Sequence, residues 1–177
     1  AKEAFRLADG CTISLKKDGF GNIGGVLAFN DDAMAEAARN LLILTEGFPT
    51  YGGLAGRDLD ALAQGLKEIT DKNYLEYRAR SISYLAEKAL SYDIPVVQPA
   101  GGHALYIDAK TFLPNIPPHE YPGHSVACEI YLIGGVRAVE LGTLAFGVAN
   151  ENGEPDTPAT HELVRLCLLY TSDAADE

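Results

Sequence analysis

Two lysines stand side by side in Ser14-Leu15-Lys16-Lys17, and the glycine-rich run Gly19-Phe20-Gly21-Asn22-Ile23-Gly24-Gly25 follows one residue later. A lysine that does covalent chemistry must lose its proton part of the time, whereas a solvated one titrates near ~10.4. A second cation next door and partial burial both disfavour the ammonium form, so the pair is suited to producing one nucleophilic amine. Read as the end of a strand, Lys16 and Lys17 point to opposite faces, and only one can reach a given ligand. Ser14 adds a hydroxyl, and the glycines let backbone and ligand approach closely. An amine, a second cation and a hydroxyl beside such a turn are what a Schiff-base site for pyridoxal phosphate requires. On residue types alone the alternative, an exposed charge pair at a strand end, is the commoner arrangement.

The elements that must position these groups can be read from periodicity. Cys11 to Lys16 alternates and holds β-branched Thr12 and Ile13, which predicts a short strand. Ile23 to Phe29 is apolar throughout and predicts a second, buried strand. Asn30-Asp31-Asp32 offers N-cap chemistry for a helix reaching about Leu44, with Met34, Ala37, Ala38, Leu41 and Leu42 at helical spacing. The stretch "GFPTYGG" breaks it. Two helical patterns follow, one opening at Asp58 and one running from Leu75 to Leu90, and their apolar stripes read as core. Beyond Ile94 the runs are short: Val96-Val97, Ala104 to Ile107, a Pro-rich loop from Pro114 to Pro122, and a helix over Ser125 to Ile133. A strand in "GVRAVELG", a polar loop from Asn150 to Pro158 and a strand from Leu163 complete the pattern. Helices and strands interleave, which predicts an α/β or α+β chain with a boundary near residues 54–75.

Composition narrows the partners. The chain has 177 residues, 47% of them hydrophobic, and a net charge of −11. That acidity argues against nucleic acid or an anionic membrane as a partner, since both demand a basic face. No apolar run approaches the ~18 residues of a membrane span, and the start has no signal-peptide architecture. Cys11, Cys128 and Cys167 follow no metal-ligand spacing and read as free thiols of a reducing cytoplasm. His103 beside Gly101-Gly102 reads as a structural histidine, and His119, His124 and His161 lack ligand spacing.

"SLKKDGFGNIGG" resembles the lysine segment of the β-eliminating lyases. "EGFPTYGGLAGRD" at 46–58, "AGGHA" at 100–104, "GVRAVELG" at 135–142 and "VRL" at 164–166 follow in that family's order. The resemblance spans 1–166 and implies an α/β fold: the C-terminal part of a subunit of the aspartate aminotransferase-like class (fold type I), with an α+β small domain. It divides the chain into the remainder of a large cofactor-binding domain at 1–57, connecting helices at 58–92 and an incomplete small domain at 93–166. By resemblance Lys17 binds pyridoxal 5'-phosphate covalently and shuttles the substrate α-proton. Lys16 and Ser14 match residues on the cofactor's phosphate side, and Tyr51 matches a tyrosine near the active site. Asn22 matches a residue whose backbone carbonyl helps hold a potassium ion. Arg165 matches the arginine that grips the substrate carboxylate, for which a bidentate fork is suited. The family also implies a homotetramer built from dimers, with an amino acid as its small-molecule substrate.

Within the family the leaving group is indole or phenol. The phenol-releasing branch has arginine where this chain has Leu141; an apolar side chain suits an indole ring, whereas a phenolic oxygen facing leucine would lose its ionic partner. The expectation is therefore β-elimination of L-tryptophan to indole, pyruvate and ammonium, in tryptophan catabolism. The alternatives are elimination of phenol from L-tyrosine, or an inert truncated fragment. The family's glycine-rich phosphate loop, ring-stacking aromatic, pyridine-nitrogen aspartate and tyrosine acid lie upstream of the matched region. The end, "CLLYTSDAADE" at 167–177, coincides residue by residue with the translation of a transposase-type sequencing adapter, and is expected to be foreign to the natural protein.

Overall fold

The computed structural model describes residues 2–17, 19–48, 50, 52–153 and 155–168. The chain divides into two compact units, residues 1–75 and 76–177, inside the segment expected to consist of connecting helices.

In the first unit a short helix α1 (Lys2–Arg6) precedes an antiparallel hairpin of β1 (Gly10–Ser14) and β2 (Gly25–Phe29), with Ser14 paired to Gly25 and Gly10 to Phe29. Helix α2 (Asp32–Thr45) is capped as its sequence implies: the Asp31 side chain accepts a hydrogen bond from the Met34 N–H at 2.7 Å. Helix α3 (Gly56–Glu68) buries Leu62 and Gly65. Two expectations fail here. β2 is not buried: Val26 is 37% and Leu27 54% exposed. An apolar strand is covered only where layers pack on both its faces, and β2 has just one strand neighbour among the described residues. β1 also stops at Ser14, so the lysines leave the strand rather than alternate along it.

Helix α4 (Lys72–Ser91) crosses from one unit to the other and buries Ile82, Ala86 and Ala89 in the second. The second unit is built on a three-stranded antiparallel sheet of β3 (Ala104–Asp108), β4 (Val139–Leu141) and β7 (Leu163–Cys167), ordered β3-β7-β4. One face carries the core: Leu105, Ile107 and Val164 pack with Val126 of helix α6 (Pro122–Gly134) and with Ala86 and Ala89 of α4. Helix α6 starts three residues earlier than periodicity implies, because Pro122 fills the first helical position after a left-handed Tyr121. Short helices α5 (Ala109–Phe112) and α7 (Thr143–Phe146) follow β3 and β4. A small hairpin of β5 (Val148–Ala149) and β6 (Pro155–Thr157) falls where a polar loop was expected. The described architecture is thus mixed α/β. No described helix is long and apolar enough to cross a membrane.

Candidate functional site

The lysine pair sits in a tight turn. The Lys17 N–H donates to the Ser14 carbonyl at 3.2 Å, and the Leu15 and Lys16 N–H groups both point at the Gly24 carbonyl, at 3.0 and 3.4 Å. Leu15 is 4% exposed and anchors the turn, while Ser14, Lys16 and Lys17 are all exposed around it. The three polar residues thus flank a buried apolar anchor in a turn rather than continuing a strand.

Several glycines have close contacts within the protein itself. A Cβ at Gly19 would stand 2.7 Å from the Leu15 carbonyl oxygen, one at Gly21 would collide with Leu62, and one at Gly65 would collide with the Gly19 carbonyl oxygen. Glycine on both surfaces lets the loop after Lys17 lie directly on α3. Phe20, in a left-handed conformation, packs edge to face on Tyr74 with ring centroids 4.6 Å apart. The exposed Asn22 donates its side-chain amide to Asp58 Oδ1 at 3.0 Å, which ties the same loop to the first turn of α3. Tyr51 lies outside the described residues.

The donor set at this turn fits the cofactor the lysine segment implies: an amine for the aldehyde carbon, and a cation with a hydroxyl for a phosphate. It does not by itself make a cation site. Asn22 offers one carbonyl oxygen, a hard cation takes several oxygens, and among the described residues no cluster of His, Cys, Asp and Glu could hold a metal.

In the second unit the sheet register brings two further residues together. Arg165 is on the central strand β7, opposite Tyr106 of β3 on one side and Val139 of β4 on the other. Leu141 pairs with Leu163, two residues along both strands, so Leu141 and Arg165 share a sheet face. The buried Val164, Leu105 and Ile107 alternate onto the other face. Arg165 is half-buried, and its Nε–H is shut off from solvent with no hydrogen-bond acceptor among the described residues. An orphaned guanidinium donor beside Leu141 and Tyr106 is suited to a carboxylate whose attached group is apolar.

One cluster was missed in the sequence. Glu140 and Glu162 are 9% and 2% exposed, and converge beside Gly142 with Thr143 between them. The Thr143 N–H donates to Glu162 Oε1 at 2.9 Å, its hydroxyl donates to the same oxygen, and Thr143 Oγ1 in turn accepts from the Ala159 N–H at 3.0 Å. Burial raises the Glu140 carboxyl above the ordinary carboxylate range; the backbone N–H of Leu144 opposes that rise, and the nearby Glu162 charge adds to it. The available signal was a lone glutamate in the apolar run Val139-Glu140-Leu141, where alternation puts it on the opposite face to both neighbours.

Comparison with known proteins identifies relatives of the whole described chain. The model of a family described as beta-eliminating lyase matches residues 1–174. A protein named tryptophanase from Hyphomonas neptunium is 58% identical over 99% of this chain and 39% of its own length. A tryptophanase from Rhodobacter capsulatus is 56% identical over the same shares. A tyrosine phenol-lyase from Symbiobacterium thermophilum is 46% identical, again over 99% of this chain. The chain thus spans about two fifths of the length of the curated relatives it matches.

Proposed function

We propose, from the premise that this chain belongs to the beta-eliminating lyase family, that it is part of a pyridoxal-phosphate-dependent enzyme releasing indole, pyruvate and ammonium from L-tryptophan. The observation that carries the choice of substrate is Leu141 on the sheet face of Arg165. The higher identity to the tryptophanases than to the tyrosine phenol-lyase points the same way.

Lys17 would hold the cofactor through its amine, with Lys16 and Ser14 on the phosphate side and Tyr51 near the site. When bound, the cofactor supplies an electron sink for the carbanion left at the substrate α-carbon. The Lys17 amine takes and returns the α-proton. Arg165 holds the substrate carboxylate in a charge-assisted hydrogen bond, which fixes the orientation of the amino acid. Leu141 offers an apolar wall to the ring and excludes water from it; a phenolic oxygen placed against Leu141 would face an apolar side chain instead of an ionic partner.

The resemblance also supports a fold of the aspartate aminotransferase-like class, a potassium ion bound partly through the Asn22 carbonyl, a tetrameric cytoplasmic enzyme, and domain limits at residues 57, 92 and 166. The adapter reading of 167–177 stands as a proposal beside a family match that continues to residue 174. Genomic DNA at that point decides it.

The test of substrate compares indole released from tryptophan with phenol released from tyrosine by the intact enzyme. Indole as the main product is expected, and phenol as the main product overturns the Leu141 argument.

A further inference from the structure

The two buried glutamates have no task in the reaction proposed above. Glu140 is on β4 opposite Val164 of β7, and Glu162 precedes that strand on the same face, so the sheet register brings both carboxyls under α6. One oxygen of each approaches the same point: a Cβ at Gly142 would collide with Glu162 Oε2 and stand 2.6 Å from Glu140 Oε1. Glu162 Oε1 is satisfied by Thr143, but Oε2 is buried with no hydrogen-bond partner. A buried carboxylate oxygen without a donor is costly, and a second carboxylate beside it makes the cost larger.

No described cation relieves the pair. The charge acting on Glu140 is that of Glu162. The elements packed around it present Pro122, Gly123 and Val126 from α6, Val164 from β7 and Thr143 from α7. Arg165 belongs to the opposite sheet face. His124 on α6 and His161 beside Glu162 are exposed, and His124 lies 3.5 Å from the Cys128 thiol.

We propose that Glu140 and Glu162 share a single proton, carried on Glu140 and donated to Glu162 Oε2, and that this acid–carboxylate pair clamps the corner Leu141-Gly142-Thr143 onto β7. The same two side chains also cap α7: Glu162 takes the Thr143 N–H, and Glu140 takes the Leu144 N–H at 3.3 Å. Glu140 is accordingly a positioning residue for Leu141, a statement that rests on the reading of Leu141 given above. Loss of the proton puts a second negative charge in a buried site and releases the corner.

The sign follows from the raised carboxyl. A folded state that holds a proton more tightly than the unfolded chain is favoured at low pH, and this contribution is lost as pH rises from the ordinary glutamate range, about 4.3, through the raised value. Infrared spectroscopy of the intact protein, titrated through the carboxylate range, tests the pair directly. One protonated carboxyl band is expected to persist after the exposed carboxyls have ionised. It should vanish in Glu140→Gln, whose amide replaces the acid as donor, and in Glu162→Gln, whose amide supplies the missing donor to Glu140. No persisting band in the wild type, or a band surviving either substitution, overturns the shared proton.

A second readout tests positioning. The KM for tryptophan should rise with pH across that titration in the wild type relative to Glu140→Gln, with kcat moving in parallel in the two proteins. A pH-independent KM ratio beside a persisting infrared band overturns the positioning role. Phenol as the main product would instead overturn the substrate reading and leave the infrared result standing.

Discussion

The β2 strand and the β7 strand are both short, mostly apolar and antiparallel, yet one lies open and the other is largely covered. Leu27 of β2 is 54% exposed, while Val164 of β7 is 0% exposed. Among the described residues β2 has β1 as its only strand neighbour, whereas β7 lies between β3 and β4 with α6 across one face. A two-stranded hairpin is marginal in water, and a third strand with a helix over it is what makes a sheet stable on its own. The lesson concerns where each unit keeps its chemistry. The first holds its lysines on a turn fixed by local hydrogen bonds and one anchor, Leu15. The second holds Leu141 and Arg165 by register within a packed sheet.

The strongest way to break this comparison is at Lys17. Lys17→Ala in the intact enzyme should abolish the visible absorbance of the lysine-bound cofactor and the release of indole. Its unfolding free energy should stay within about 0.5 kcal/mol of wild type, because the side chain is exposed. A large loss of stability would mean that the turn depends on the lysine and not on Leu15.

In the second unit the order reverses, with stability affected before chemistry. Leu105 is 2% exposed and packs against Ala86 and Ala89, so Leu105→Ala should cost about 2–5 kcal/mol in denaturant unfolding. A cost under about 1 kcal/mol would show that this sheet face is as open as the hairpin.

Smaller effects belong to the first unit. Asp31→Ala removes the acceptor for the Met34 N–H and should cost about 1 kcal/mol, measured by thermal unfolding and referred to a Glu36→Ala control on the exposed side of the same helix. The smallest change should come from Leu27→Ser. An exposed strand position away from any core should shift stability by no more than about 0.5 kcal/mol. A loss of several kcal/mol there would reveal that β2 is covered in the intact protein.

Much of the local structure was legible because its causes are local. Asp31 is an N-cap by residue type and position, and the helical stripe behind it needed no partner to be read. The failures have the opposite cause. The burial of Ile23 to Phe29 was inferred from apolarity alone, yet burial depends on what lies above and below a strand. The alternation of Lys16 and Lys17 assumed that β1 continued, whereas the Gly24 carbonyl accepts from two successive N–H groups and ends it. Gly19 and Gly21 also make the close contact between the Lys17 loop and α3, which no local signal in the sequence reveals.

The candidate residues were legible in the sequence itself: a lysine pair, an arginine in a β-rich run, and a leucine in the strand next to it. Side-chain chemistry is a property of the residue, and so is a cap or a glycine turn. Which of these groups keep company was decided by the tertiary structure. Leu141 and Arg165 are 24 positions apart in the chain and share a face through the pairing of Leu141 with Leu163 and Val139 with Arg165. The same ladder buries Glu140 beside Glu162, where the loss of solvent raises the Glu140 carboxyl above the ordinary carboxylate range.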